Sequence, residues 1–348
     1  MNISPAVLTF ALFATLAPAV QNAQAASPLE IQTFMIPSGE PGISLYMGNK
    51  HPADMNRFSA DKTVLLVHGS TFPSEIFDLP IDGLSMMDAI AQEGFDVYFV
   101  DIRGYGGSTG SDAMNQPASE NSPVATSADA ASDLGAAVNY ILARRNITKL
   151  DLIGFSWGTS IVGSYTSKHN DKVNKLVLYG PLWLFDPPVA PPGTRLGAYR
   201  LVTENAAKES LLKGVPSDKR ASIMAPGVFD QFWQAVLATD PTGRKMNPPQ
   251  LRAPNGTLEE FVTYWAVGKP YYDPSEIAVP TLLIRAEWDA VLPSYQSQNL
   301  FKKLSNVPYK RLVEIGEGSH FVLLERNRVQ LFDEITLFLK DKSTGPDH

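Results

Sequence analysis

The chain of 348 residues contains no cysteine and only five histidines. The first absence excludes a disulfide framework and a lipoprotein anchor attached through cysteine. No spacing of His, Asp and Glu suggests a metal site, and nothing implies a cofactor. Positive charge is also scarce: the chain has 29 Lys and Arg residues but 36 Asp and Glu residues, which gives a net charge of −7. With no basic stripe to neutralise phosphates, nucleic acid is excluded as a partner.

No apolar run is long enough to span a bilayer comfortably: the longest, from Ala6 to Val20, is short and interrupted by proline. Residues 1–25 carry no charged side chain and end in a small-x-small cleavage site, "AQA". These features predict a secretory signal cleaved near Ala25, and hence a secreted or periplasmic protein without a stable membrane anchor. The alternative is the apolar N-terminus of a cytosolic protein.

Short apolar runs alternate with amphipathic segments along the rest of the chain, which is typical of a mostly parallel sheet covered by helices. The runs lie at residues 63–69, 96–102, 149–155, 174–180, 280–286 and 310–316. Two earlier runs, "IQTFMI" and "ISLYMG", are expected to form an antiparallel edge.

One long interval, between "LVLYGP" and "PTLLIRA", contains no convincing β run. It is predicted to be helical, in the segments "AYRLVTENAAKESLLKG" (from residue 198), "SDKRASIMA", "VFDQFWQAVLA" and "TLEEFVTYWAVG". Because a structureless loop of that length is improbable in a compact domain, we expect an inserted helical lid. The predicted organisation is a signal peptide (1–25), a core (26–182), a helical cap (183–278) and the rest of the core (279–348).

Two segments match the G-x-S-x-G nucleophile pattern, "GGSTG" at 106–110 and "GFSWG" at 154–158. Ser156 directly follows an apolar run and opens a helical segment, and its flanking glycines remove side chains where strand and helix crowd together. Ser108 instead lies several residues past its strand and leads into a polar loop, as a turn residue does. Ser156 is therefore predicted to be the nucleophile.

A nucleophilic serine needs a base and an acid that orients it. Elimination among the five histidines leaves His320, in "IGEGSHF" after the last predicted strand, although a histidine there can also cap a loop. For the acid, "LLIRAEWDAVLP" offers Glu287 and Asp289. Asp289 is preferred because it stands further into the loop, with Glu287 and Asp186 as alternatives.

The segments "VHGS", "DIRGYGGS", "GFSWG", "PTLLIRAEWD" and "GSH" together resemble the α/β-hydrolase superfamily across essentially the whole mature chain. The resemblance implies an α/β-hydrolase fold, with a mostly parallel eight-stranded sheet flanked by helices and an α-helical cap inserted between strands six and seven. It also implies an oxyanion hole formed by the amides of Trp157 and Ser70, with Thr71 as the alternative to Ser70. His68 would then have a scaffolding role at the mouth of the site.

These features predict a serine hydrolase acting on an ester, thioester, lactone or small amide through an acyl-enzyme, with an ester favoured by analogy. An acyltransferase or perhydrolase would use the same acyl-enzyme and remains an alternative. A binding protein that has lost its chemistry is a third reading, although no triad member is missing.

Eleven of the chain's 34 aromatic residues lie between residues 183 and 272. Six of them form two stripes at i, i+3, i+4 spacing: Phe229, Phe232 and Trp233, and Phe261, Tyr264 and Trp265. We expect the stripes to face inward and to place Trp233 and Trp265, with His68, at the substrate, which would be a small apolar or aromatic ester-like molecule. The alternative is that the aromatic residues only pack the lid onto the core.

Overall fold

A computed structural model of the chain describes residues 1, 27–81, 83–189 and 196–342, so the predicted signal segment, apart from Met1, lies outside the described residues. The described strands are β1 (Leu29–Pro37), β2 (Ser44–Pro52), β3 (Thr63–Val67), β4 (Asp96–Val100), β5 (Leu150–Phe155), β6 (Val173–Tyr179), β7 (Tyr199–Val202), β8 (Leu251–Pro254), β9 (Thr281–Ala286) and β10 (Lys310–Ile315). Eight of these form one sheet in the order β1-β2-β4-β3-β5-β6-β9-β10.

The sheet is mostly parallel, as predicted. β2 pairs antiparallel with β1 and β4, and the other neighbouring strands pair in parallel. β3, β4, β5 and β9 are buried at every position, because helices cover both faces of a parallel sheet. Their sequences are therefore largely apolar rather than alternating, and the predicted fold class is confirmed.

Two helical layers cover the sheet. The described α-helices are α1 (Met86–Gln92), α2 (Ser127–Arg145), α3 (Trp157–Lys168), α4 (Glu204–Leu211), α5 (Val228–Ala238), α6 (Pro241–Arg244), α7 (Gly256–Glu260), α8 (Ser294–Lys303) and α9 (Arg328–Lys340). One buried cluster joins α1, α5 and α9 to one face of the sheet, and a second joins α2, α3 and α8 to the other face. No helix in the described part of the chain combines the length and apolarity that a membrane span requires.

The segment between β6 and β9 (residues 180–280, hereafter the insertion) holds α4 to α7, and a π-helical turn, Phe261–Trp265, follows α7. The expectation that it lacks β structure is wrong, because β7 and β8 pair antiparallel as a separate two-stranded sheet, with Val202 opposite Leu251. The helix expected from residue 198 therefore begins only at Glu204, where the Thr203 side chain accepts a hydrogen bond from the Ala206 amide (3.2 Å). The segment "SDKRASIMA" forms turns instead of the expected helix.

Candidate active site

Ser156 occupies the tight turn between β5 and α3, at the carboxyl end of the central strands. Its φ of 56° and ψ of −120° form a conformation that the surrounding structure must impose on a non-glycine residue. The positions two residues before and two residues after Ser156 have no room for a side chain, so both require glycine. A Cβ at Gly154 would lie 2.5 Å from the Gly158 carbonyl oxygen, and a Cβ at Gly158 would lie 2.3 Å from the Val67 carbonyl oxygen.

Trp157, the first residue of α3, is fully buried and anchored by its side chain. Its indole Nε1 donates to Ser127 Oγ (2.9 Å), and the Ser127 amide donates to Glu260 Oε1 (2.8 Å). These bonds tie the start of α3 to α2 and to the insertion, where burial raises the pKa of Glu260 to about 6. The first amides of a helix lack intrahelical acceptors, so the Trp157 N–H suits the predicted oxyanion role.

His320 and Asp289 are joined directly. His320 Nδ1 lies 2.7 Å from Asp289 Oδ2, and the two residues are only 3% and 5% exposed. The other carboxylate oxygen, Asp289 Oδ1, accepts from the amides of Val291 (2.9 Å) and Leu292 (2.8 Å). Because a carboxylate only accepts, His320 carries its hydrogen on Nδ1, which leaves Nε2 free to accept a proton.

Neither alternative acid contacts His320. Glu287 is exposed, and its Oε2 accepts from the Glu317 amide (2.9 Å). Asp186 is exposed at the start of the insertion. Of the three predicted carboxylates, only Asp289 can orient the imidazole.

Ser156 and His320 line the same small cavity, of about 70 Å³. The predicted oxyanion residue Ser70 and its neighbour Thr71 also line it, and Phe72, Phe155, Val291 and Phe321 supply apolar walls. Among the described residues, the Ser156 hydroxyl forms no hydrogen bond to His320, and catalytic hydrogen bonds are often long before substrate binds.

The loop before His320 is held by Glu325, which accepts from the Ser319 amide (2.9 Å) and is bonded to the Ser319 hydroxyl. That hydroxyl also lies 2.9 Å from the carbonyl oxygen of Leu211 in α4. A hydroxyl carries one hydrogen, so both bonds form together only when Glu325 is protonated and donates to Ser319. Burial raises the pKa of Glu325 to about 7, which favours that arrangement.

The hydroxyl of Ser108, the second residue that matches the nucleophile pattern, forms hydrogen bonds to the backbone. It donates to the Asp101 carbonyl oxygen (2.6 Å) and accepts from the Tyr46 amide (2.8 Å). Its hydrogen is therefore committed to a turn that joins the loop after β4 to β2.

His68 is fully buried rather than open to a substrate, which corrects the expectation that it binds the substrate. Its Nδ1 donates to the Gly69 carbonyl oxygen (2.7 Å), and its Nε2 accepts from the Ile102 amide (3.1 Å). Burial lowers the pKa of His68 to about 4, so the ring is neutral. The ring connects the loops after β3 and β4, which is a scaffolding arrangement.

Trp233 and Trp265 do not line the cavity, which corrects the expectation that they meet the substrate. They are 1% and 0% exposed and pack into separate core clusters on the two sides of the sheet. Helical spacing indicates an apolar face but not what covers it, and here the core covers both rings.

The sequence predicts no role for Ser210 or Arg200, and the structure places both at the site. Ser210 of α4 lines the cavity. Arg200 of β7 donates to the Ser70 carbonyl oxygen and to Thr71 Oγ1, both at 2.8 Å. No local pattern marks Arg200, because its position depends on the pairing of β7 with β8.

The family model for the alpha/beta hydrolase fold matches residues 62–327, and the chain belongs to this family. The similar solved structures include a bromoperoxidase from Bacillus anthracis (20% identity, TM-score 0.59), which covers 89% of this chain and 100% of its own. They also include a thermophilic esterase from Thermogutta terrifontis, with 19% identity and a TM-score of 0.54. The similarity covers 89% of this chain and 98% of the esterase. A third is the 2-hydroxy-6-oxo-6-phenylhexa-2,4-dienoate hydrolase of Rhodococcus sp. strain RHA1, with 16% identity and a TM-score of 0.55. The similarity covers 90% of this chain and 100% of that hydrolase. At these identities the likeness shows the fold. No curated protein matches the chain.

Proposed function

We propose that the protein is a serine hydrolase that cleaves a carboxylic ester, or a related thioester, lactone or small amide, through an acyl-enzyme on Ser156. Membership of the family supports a hydrolase as the broad class. The observation that carries the finer assignment is the buried 2.7 Å contact between His320 and Asp289 beside a cavity that Ser156 also lines.

In the proposed reaction, Ser156 Oγ bonds to the carbonyl carbon while its proton moves to His320 Nε2. The carbonyl electron pair moves onto the oxygen, which the amides of Trp157 and Ser70 stabilise. Collapse of this intermediate expels the alcohol, which takes the proton from His320 and leaves an acyl-enzyme. Water then attacks in the same way and releases the acid and free Ser156.

The cavity also supports a proposal about the substrate. A volume of about 70 Å³ is well below the roughly 300–1,000 Å³ of typical ligand pockets, so it fits a short acyl chain better than a long one. Its walls include three phenylalanines, Phe72, Phe155 and Phe321, which favour an apolar group. The proposed partner is therefore a small apolar ester.

The test is turnover of p-nitrophenyl acetate, butyrate and octanoate by the wild type, Ser156→Ala and Ser108→Ala. We expect the acetate to be preferred and Ser156→Ala to lose about 10⁴-fold or more in kcat. Ser108→Ala should keep kcat within about threefold, since Ser108 lies in a structural turn and does not line the cavity with Ser156. Loss at Ser108 with activity kept at Ser156 would overturn the assignment. Faster product formation with added alcohol or peroxide would instead indicate acyl transfer or a perhydrolase.

Export is a further part of the proposal and depends on the composition of residues 1–25. Expression in a Gram-negative host, followed by fractionation and N-terminal sequencing, tests it. A periplasmic protein beginning at Ala26 is expected, whereas an uncleaved cytoplasmic protein would contradict it.

A further inference from the structure

Arg200 extends from the insertion to the loop after β3, which carries Ser70, one of the two residues predicted to supply an oxyanion amide. One guanidinium nitrogen, Nη2, donates to the Ser70 carbonyl oxygen and to Thr71 Oγ1 (both 2.8 Å). The other, Nη1, donates to the carbonyl oxygen of Pro254 on β8 (2.8 Å). A single side chain therefore bridges the two-stranded sheet of the insertion and the loop after β3.

No carboxylate pairs with Arg200 among the residues that the structure describes. Arg252, on the partner strand, differs in this respect, because it forms an ion pair with Asp240 (2.7 Å). Burial also lowers the pKa of the Arg200 guanidinium, although an arginine remains charged at neutral pH. The loop thus lies against a partly desolvated and uncompensated positive charge.

The Ser70 carbonyl oxygen receives a second bond, from Tyr105 Oη (2.9 Å). Two donors on one carbonyl fix the plane of the peptide between Ser70 and Thr71. That peptide carries the N–H of Thr71, the alternative oxyanion donor. Ser70, whose own N–H is the predicted donor, immediately precedes it, so fixing the plane restricts the directions of both amides.

We propose that Arg200 is a positioning residue for the oxyanion loop, holding the Ser70–Thr71 peptide in its catalytic orientation from the insertion. Arg200 does not line the cavity and acts through the loop. Its charge also favours the developing oxyanion, because a positive charge near a water-poor site stabilises negative charge there. The role rests on the proposed serine-hydrolase function.

The experiment compares Arg200→Met, Arg200→Lys and Arg252→Met with the wild type. Arg252→Met is the matched control, because it removes an arginine and an ion pair from the same two-stranded sheet without touching the oxyanion loop. The measurements are kcat and KM for p-nitrophenyl acetate, the Ki of a trifluoromethyl ketone, the melting temperature, and amide hydrogen exchange of residues 69–72.

Arg200→Met should lower kcat by about 10- to 100-fold, less than the 10²- to 10³-fold loss on removing an oxyanion donor itself. KM should change by less than about threefold, since ground-state binding is not affected, and Ki should rise in proportion to the loss in kcat. In Arg200→Lys, kcat and Ki should both lie between the values of Arg200→Met and the wild type. Arg252→Met should lower the melting temperature but leave kcat and the loop exchange unchanged.

Unchanged kcat in Arg200→Met, or an equal kcat loss in Arg252→Met, would overturn the positioning role. If Ser156→Ala keeps full turnover, the proposed function fails instead. In that case the hydrogen exchange decides on Arg200 alone: faster exchange at residues 69–72 in Arg200→Met supports the role, and unchanged exchange refutes it.

Discussion

Asp289→Asn changes one oxygen to an amide nitrogen at the centre of the site. The Oδ1 position of Asp289 accepts from two loop amides, those of Val291 and Leu292. The asparagine carbonyl oxygen must take this position, because the loop amides can only donate. The amide NH₂ then faces His320 Nδ1, from which Oδ2 now lies 2.7 Å away.

An NH₂ group donates, so it forces His320 Nδ1 to accept and moves the ring hydrogen to Nε2. His320 then cannot take the Ser156 proton. The expected result is a fall in kcat of about 10⁴-fold, or about 5.4 kcal/mol of transition-state stabilisation. The near-identical shape of the two side chains should keep the melting temperature within a few degrees. The assay is turnover of p-nitrophenyl acetate at pH 7.5, with thermal unfolding measured on the same samples.

Glu287→Gln is the matched control, because it makes the same chemical change two residues away on an exposed side chain. It should keep kcat within about threefold, as exposed substitutions usually have small effects. A loss of less than tenfold in Asp289→Asn, or a larger loss in Glu287→Gln, would refute the assignment of the acid.

Three other predictions concern packing and pH. Gly158→Ala places a Cβ 2.3 Å from the Val67 carbonyl oxygen and should cost about 3 kcal/mol or more by urea unfolding. The control Gly135→Ala, in the middle of α2, should be neutral or stabilising, and equal effects of the two changes would contradict the steric argument. Trp233→Ala should cost about 3–5 kcal/mol without changing acyl-chain preference, whereas altered preference at an unchanged melting temperature would place Trp233 in the pocket. The pKa of Glu325 is 4.5 in the unfolded chain and about 7 in the folded protein, so between these pH values only the folded protein keeps the proton. The wild type therefore becomes less stable as pH rises through this range. Relative to Glu325→Gln, the wild type should therefore lose up to about 3 kcal/mol between pH 5 and pH 8, and a constant difference would contradict a raised pKa.

The parts of the fold that the sequence predicts well are those set by neighbouring residues. A strand buried on both faces is a continuous apolar run, and the turn at Ser156 needs glycine two residues before and two residues after it. The contact between His320 and Asp289 is long-range, but each residue follows a predicted strand, and the sequence already names both as candidates. The sequence left Glu287 and Asp186 open, and the geometry separates them from Asp289 through the hydrogen bonds of one loop.

The features that the sequence missed depend on pairing between distant segments. β7 and β8 are short, and Val202 lies opposite Leu251 although several helices separate the two residues along the chain. Without that pairing, Arg200 looks like an ordinary polar residue at the start of a helix. Trp233 illustrates a different limit. Periodic spacing identified an apolar face of a helix, but the same spacing is expected whether a substrate or the protein core covers that face.

We propose that Ser156 is the residue acylated during turnover, and the site of covalent labelling tests this directly. The protein is treated with a fluorophosphonate and analysed by intact-mass and peptide mass spectrometry, with Ser156→Ala and Ser108→Ala in parallel. A single adduct on the peptide that contains Ser156, kept in Ser108→Ala and absent from Ser156→Ala, is the predicted result. An adduct on another serine, or equal labelling of Ser156→Ala, would contradict it.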